Sequence, residues 1–172
     1  VTLTAYNAMT VLEADAVQRL VASLQAADGG RRCEQVMWAA SGSEAVQKAL
    51  WVCLHRDEAR DLLIATRGGF HGKKGLAGAV TGSEEDRDRD PRVKFISFPK
   101  EECDDLSKAE DTLDLTKYRK ELDALEQEYG GRLNCLITEP YLGGGGSYHP
   151  PPEYLQMLLQ CCRKLDIVFL LD

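Results

Sequence analysis

Four short stretches carry residues whose types and spacing could do chemistry. The first is Ala40-Ser41-Gly42-Ser43-Glu44-Ala45. Ser41 followed three residues on by Glu44 fits a capping box with Ser41 as N-cap. A helix starting there offers free backbone N–H groups, small residues and two hydroxyls, which suits a phosphate. A plain helix cap gives the same pattern. The second runs from Arg67 to Gly75, where Gly68, Gly69, Gly72 and Gly75 frame Phe70 and His71. Glycines let the backbone turn and come close to a flat group. Phe70 could stack on a ring and His71 could exchange a hydrogen bond, although a surface turn explains the stretch equally well. A nucleotide-binding P-loop does not explain it, because G-x-x-x-x-G-K-[ST] needs glycine where Arg67 stands and Ser or Thr where Lys74 stands.

The third stretch is Glu139-Pro140-Tyr141-Leu142 followed by Gly143 to Gly146. A carboxylate at the end of a buried strand is costly unless it is partnered or serves a site. Taken alone, Glu139 reads as a structural hydrogen-bonding group before it reads as a catalyst. The fourth is Asp172, behind the apolar run Ile167 to Leu171. Such an Asp would be poorly solvated and could hold a protonated ring nitrogen, or it could cap a following helix.

Secondary structure has to bring these stretches together. Five apolar runs read as strands: Gln35–Ala39, Leu62–Thr66, Val93–Phe98, Asn134–Thr138 and Ile167–Leu171. They are near-continuous rather than alternating, as strands covered on both faces are. Helical spacing is seen in Leu12, Val17, Leu20, Val21 and Leu24, in Val46, Ala49, Leu50 and Cys53, in Leu115, Tyr118, Leu122, Leu125 and Tyr129, and in Tyr154, Met157, Leu158, Cys161 and Cys162. Alternating helices and buried strands predict an α/β fold with a mostly parallel sheet between helical layers, a three-layer α-β-α sandwich. Ser83 to Arg92 and the acidic stretch Glu101 to Asp111 read as exposed joints. In such sheets ligands gather beyond the carboxyl ends of strands, where all four stretches fall.

Composition narrows the function. The net charge of −7 argues against nucleic acid and anionic membrane as partners, since both need a basic surface. No apolar run approaches the roughly 20 residues of a membrane span, and Val1 to Thr10 lacks the layout of a signal peptide. None of the six cysteines forms a C-x-x-C pair, so they are expected to be reduced, buried small hydrophobes in a cytoplasmic protein. No metal-ligand pair at i, i+4 and no Ser/His/Asp nucleophile arrangement is present, and His55 and His149 are expected to face solvent. A length of 172 residues suits one domain. A start without Met and an ending on Phe169-Leu170-Leu171-Asp172 suggest a piece of a longer protein.

Taken in order, Met37 to Ala45, Gly69 to Lys73, Glu139-Pro140 with its glycine loop, and Ile167 to Asp172 resemble class III aminotransferases, members of the fold type I enzymes that use pyridoxal 5'-phosphate (PLP). The resemblance runs from about Val11 to Asp172. It implies that the chain is a single domain, most of the large cofactor-binding domain. Ser41, Gly42 and Ser43 then belong to the cofactor-phosphate cradle. Phe70 stacks on the pyridine ring, with His71 beside it on the substrate side. Glu139 lies near the cofactor and is a candidate catalytic residue. Asp172 pairs with the pyridinium nitrogen and keeps the ring an electron sink for chemistry at the substrate α-carbon.

The implied reaction moves an amino group from an amino acid or amine to an oxo acid, in a homodimer. A PLP-dependent lyase, decarboxylase, racemase or aminomutase of the same fold would share these motifs. The Schiff-base lysine, the small domain and partner-subunit groups are expected outside this chain, so the piece alone should be inactive. The sequence also departs from the family pattern. Gly144 stands where many members carry a glutamate that pairs with an arginine admitting the second substrate's carboxylate. Leu142 replaces a common Gln, and Lys74 a common Thr.

Overall fold

The computed structural model describes residues 9–82, 90–104 and 114–172. The chain divides into two compact units, residues 1–39 and 40–172.

In the first unit, helix α1 spans Val11–Ala26 and opens on a complete capping box. The Glu13 amide donates to Thr10 Oγ1 at 3.1 Å, and the Thr10 amide donates to Glu13 Oε2 at 2.7 Å, which satisfies two first-turn donors at once. The stripe expected to be apolar on α1 is exposed at Leu12, Leu20 and Leu24. A 3₁₀ turn follows at Gly30–Arg32. The strand expected at residues 35–39 is absent: the backbone there joins no ladder, and Met37 and Trp38 are exposed. An apolar run becomes a strand only where a neighbouring edge accepts its N–H and C=O groups, and among the described residues none does.

The second unit carries the sheet. Its elements are helix α2 (Gly42–Arg56), strand β1 (Leu62–Thr66), helix α3 (Gly75–Ala79), strand β2 (Val93–Ile96), helix α4 (Lys100–Asp104), helix α5 (Thr116–Tyr129), strand β3 (Leu133–Thr138), helix α6 (Pro152–Leu165) and strand β4 (Val168–Leu171). The four strands are parallel in the order β2-β1-β3-β4. Alternate residues of each strand go to opposite faces. Leu62, Ile64, Leu136 and Ile96 pack with Tyr118 and Leu122 of α5 and Tyr154, Met157, Leu158 and Cys162 of α6. Leu63, Ala65, Cys135 and Ile137 pack with Val46, Leu50 and Cys53 of α2 and Ala77 of α3. This is the expected α/β sandwich, with β1 and β3 fully buried between two helical layers.

The boundaries differ in instructive ways. Strand β2 stops at Ile96, short of Phe98, because the Ser97 amide turns to Glu121 Oε2 of α5 at 2.6 Å instead of to the ladder. The acidic joint expected from Glu101 to Asp111 begins as helix, since Lys100–Asp104 form α4; its remainder, and most of the joint at 83–92, lie outside the described residues. Strand β4 has one described neighbour and is only half-buried, which leaves Asp172 in water's reach instead of poorly solvated. None of the six cysteines is joined in a disulfide. Cys53, Cys135 and Cys162 are buried as expected, whereas Cys33 is exposed. His55 and His149 are exposed, His55 lying against Trp51 with ring centroids 4.2 Å apart.

Candidate functional site

Every candidate site residue lies in the second unit, at the edge where β1, β3 and β4 end and α2 begins. Ser41 caps α2 as expected, accepting the Glu44 amide on Oγ at 3.2 Å. Glu44 reaches one residue further back than a standard capping box, to the Ala40 amide at 2.7 Å. The amides of Gly42 and Ser43 stand ahead of the helical ladder and have no intrahelical acceptor. Both residues are exposed. Two oriented N–H groups, a hydroxyl and the positive end of a four-turn helix form a place for a phosphate.

The loop after β1 docks on this helix start through Gly72. A Cβ on Gly72 would come within 2.5 Å of Ser43 Oγ, and its φ of +140° is one that side chains rarely adopt, so only glycine brings the two backbones together. Two residues earlier, Phe70 stands out with 51% of its surface exposed, on a loop otherwise well packed. Its amide donates to Glu139 Oε1 at 2.7 Å. The other oxygen of that carboxylate, Oε2, accepts the Gly143 amide at 2.7 Å. Glu139 thus clamps the loops that follow β1 and β3. Both of its oxygens accept backbone N–H groups of those loops.

The His71 side chain is turned into the protein. It is fully buried, and Nδ1 lies 2.8 Å from Asp172 Oδ2. A carboxylate can only accept, so Nδ1 carries the hydrogen and donates it. His71 Nε2 is buried with no hydrogen-bond partner among the described residues. Asp172 is held from behind as well, its amide donating to Thr138 O at 3.1 Å. Its side chain keeps 32% exposure, so the carboxylate has His71 on one flank and an open approach on another.

The glycine loop after Glu139 is less pliant than four glycines suggest. Leu142 and Tyr148 exchange both backbone hydrogen bonds, at 2.9 and 3.1 Å, and the Gly146 and Ser147 amides share the Gly143 carbonyl. A Cβ on Gly144 would sit 3.8 Å from Phe70 Cβ, so glycine there leaves room beside the exposed ring. Tyr141 stacks on His149 with centroids 4.6 Å apart and planes 9° from parallel.

Sequence reasoning missed the residues that hold this edge together. Thr66 and Thr138, at the ends of β1 and β3, share a buried hydroxyl–hydroxyl bond of 2.9 Å. Thr81 accepts the amides of His71 and Gly72 on one hydroxyl. A threonine inside or beside an apolar run carries no signal of a partner nine or more residues away. Lys73 and Lys74 remain exposed.

Comparisons with known proteins agree with this architecture. The family model described as Aminotransferase class-III matches residues 1–172, and the chain belongs to that family. It is 30% identical over 142 residues to a glutamate-1-semialdehyde 2,1-aminomutase of Anaeromyxobacter sp. (strain Fw109-5), covering 81% of this chain and 30% of the relative. It is 28% identical over 166 residues to the mitochondrial acetylornithine aminotransferase of Candida glabrata, covering 92% of this chain and 35% of the relative. Among solved structures, an amine transaminase from an uncultivated Pseudomonas species, in its PLP-bound form, matches with a TM-score of 0.74 at 21% identity, over 98% of this chain and 39% of that one. The chain therefore spans about a third of the length of the relatives it matches. None of its described helices is long and apolar enough to cross a membrane.

Proposed function

We propose that this chain supplies the phosphate-, ring- and ring-nitrogen-binding parts of a PLP site in an aminotransferase that moves an amino group from an amino acid or amine to an oxo acid. The observation that carries the reading is the convergence, at one sheet edge, of an anion-ready helix start, an exposed aromatic face and a half-exposed carboxylate. These match the three parts of the cofactor: phosphate, flat ring and basic ring nitrogen. Gly42 and Ser43 would hold the phosphate with Ser41 shaping the turn. Phe70 would lie on the ring. Asp172 would hold a proton on the ring nitrogen, and His71 would orient that carboxylate from its buried flank. The bound cofactor supplies an electron sink for bond breaking at the substrate α-carbon. Glu139 fixes the two loops that frame the ring.

An aminomutase is the second reading, favoured by the 30%-identical relative of that name. In either case Gly144 leaves no carboxylate to partner an arginine at the loop, which argues against selection of a second substrate by a Glu–Arg gate. A homodimer follows from the family resemblance, and six cysteines without a disulfide among them support a reducing compartment such as the cytoplasm.

The test uses the full-length protein with PLP. Titration followed by cofactor absorbance should show binding, and a screen of amino donors should show conversion of the bound form. Asp172→Ala should slow that conversion by orders of magnitude. If Asp172→Ala converts donors at the unchanged rate, the role given to Asp172 is wrong. Transfer to an oxo acid separates the aminotransferase from an aminomutase, which returns the amino group to its own substrate.

A further inference from the structure

We propose that Thr81 is a positioning residue for the whole cofactor-facing loop, an inference that rests on the PLP reading above. Thr81 Oγ1 accepts the His71 amide at 2.9 Å and the Gly72 amide at 3.1 Å. It lies 2.8 Å from the Gly72 carbonyl and 3.1 Å from the Ala77 carbonyl, and donates its single proton to one of them. One oxygen thus fixes the consecutive peptide groups on both sides of His71.

Those peptide groups are the point where three functions meet. Gly72 presses on Ser43 at the helix start, so its placement sets the phosphate cradle against the ring platform. His71 reaches Asp172 through Nδ1, so its backbone sets where that carboxylate is held. Phe70 precedes His71 directly and is anchored on its other side by Glu139. Glu139 and Thr81 therefore grip the 70–72 segment from opposite ends.

The position of Thr81 is itself over-determined. Gly82, its neighbour, donates to the Gly69 carbonyl at 3.0 Å and accepts from the Gly68 amide, closing the base of the 68–82 loop. A Cβ on Gly82 would come within 2.7 Å of the Phe95 ring and 3.1 Å of Thr66 O, so the chain is tucked against β1 and β2 there. A threonine immediately preceding that anchor has little freedom to aim its hydroxyl elsewhere.

The experiment compares full-length wild type with Thr81→Val, which keeps the shape and removes the hydroxyl, and Thr81→Ser, which keeps the hydroxyl. Tyr154→Phe serves as a control, since it removes a hydroxyl bond to Ser97 O within the packing of α6 and α5 on the sheet. Affinity for PLP and the pH midpoint of the bound cofactor's absorbance are measured on each folded protein. Thr81→Val should lose roughly tenfold in PLP affinity and shift the pH midpoint, as expected when amides lose a shared acceptor and Asp172 loses its fixed geometry. Thr81→Ser and Tyr154→Phe should stay within about twofold of wild type with an unmoved midpoint.

A folded Thr81→Val with wild-type affinity and midpoint overturns the proposal, as does Thr81→Ser losing as much as Thr81→Val. If Thr81→Val does not fold, Thr81→Ala replaces it under the same criteria. A wild type that takes up no PLP overturns the cofactor reading itself, and with it the role of Thr81, which keeps the two failures distinct.

Discussion

Phe70 leaves half its surface exposed while its own amide is held by Glu139 and that of His71 by Thr81. A large aromatic side chain left in water on a backbone held this firmly suits the platform role proposed for it. Phe70→Ala in the full-length protein should therefore weaken PLP binding by about 1 kcal/mol, roughly fivefold, with little change in thermal stability. Equal losses in binding and melting temperature would make Phe70 a packing residue. His71 behaves in the opposite way. Its buried imidazole should make His71→Ala destabilising by about 2 kcal/mol as well as harmful to cofactor binding, because the change opens a cavity and frees Asp172. Thermal unfolding of apo and PLP-loaded protein separates the two effects.

At the scale of elements, the site depends on strand ends held in register. Thr66 and Thr138 join β1 and β3 through a fully buried hydroxyl pair just below the loops that carry Phe70 and Glu139. Thr138→Val would leave the Thr66 hydroxyl without that partner, at a cost of about 1–3 kcal/mol in unfolding free energy measured by denaturant titration. Thr66→Val with Thr138→Val together should recover part of that loss, since replacing both partners by apolar groups of the same shape is nearly neutral. The helical layer beneath has a simpler dependence. Leu50 of α2 is completely buried against β1 and β3, and Leu50→Ala should cost about 2–5 kcal/mol by loss of contacts and the cavity left behind. A cost under 1 kcal/mol would mean that α2 shifts to fill the gap, and Ser43 with it.

For the molecule as a whole, acid is the informative perturbation. Asp61 and Arg132 form a two-bond fork, at 2.9 and 2.7 Å, that ties the entry of β1 to the entry of β3. Asp90 and Arg92 form a second fork at the entry of β2. In each, hydrogen bonding from the arginine holds the aspartate below its ordinary carboxylate range. A folded-state value below the unfolded one means stability that is present above the ordinary range and lost as pH falls through the folded value. The forks are largely solvated, so the expected loss is at most about 1 kcal/mol each. Asp61→Asn should remove part of the acid sensitivity while slightly lowering stability at neutral pH, as read from unfolding curves across pH 3 to 7. An unchanged acid limb would show that other carboxylates govern it.

The amino-acid sequence by itself determined the parallel α/β layering and the residues that gather at one sheet edge. Continuous apolar runs and helical spacing are local properties, and the capping at Ser41 and the glycine at 72 are visible without any partner. It did not determine which way His71 points, what Glu139 holds, or what Thr81 holds. Each of these rests on a partner between nine and about a hundred residues away, and no local pattern encodes such a pairing. The run at 35–39 makes the same point from the other side. Its composition suits a strand, but a strand is a relation between two edges, and only the tertiary structure decides whether the second edge is there.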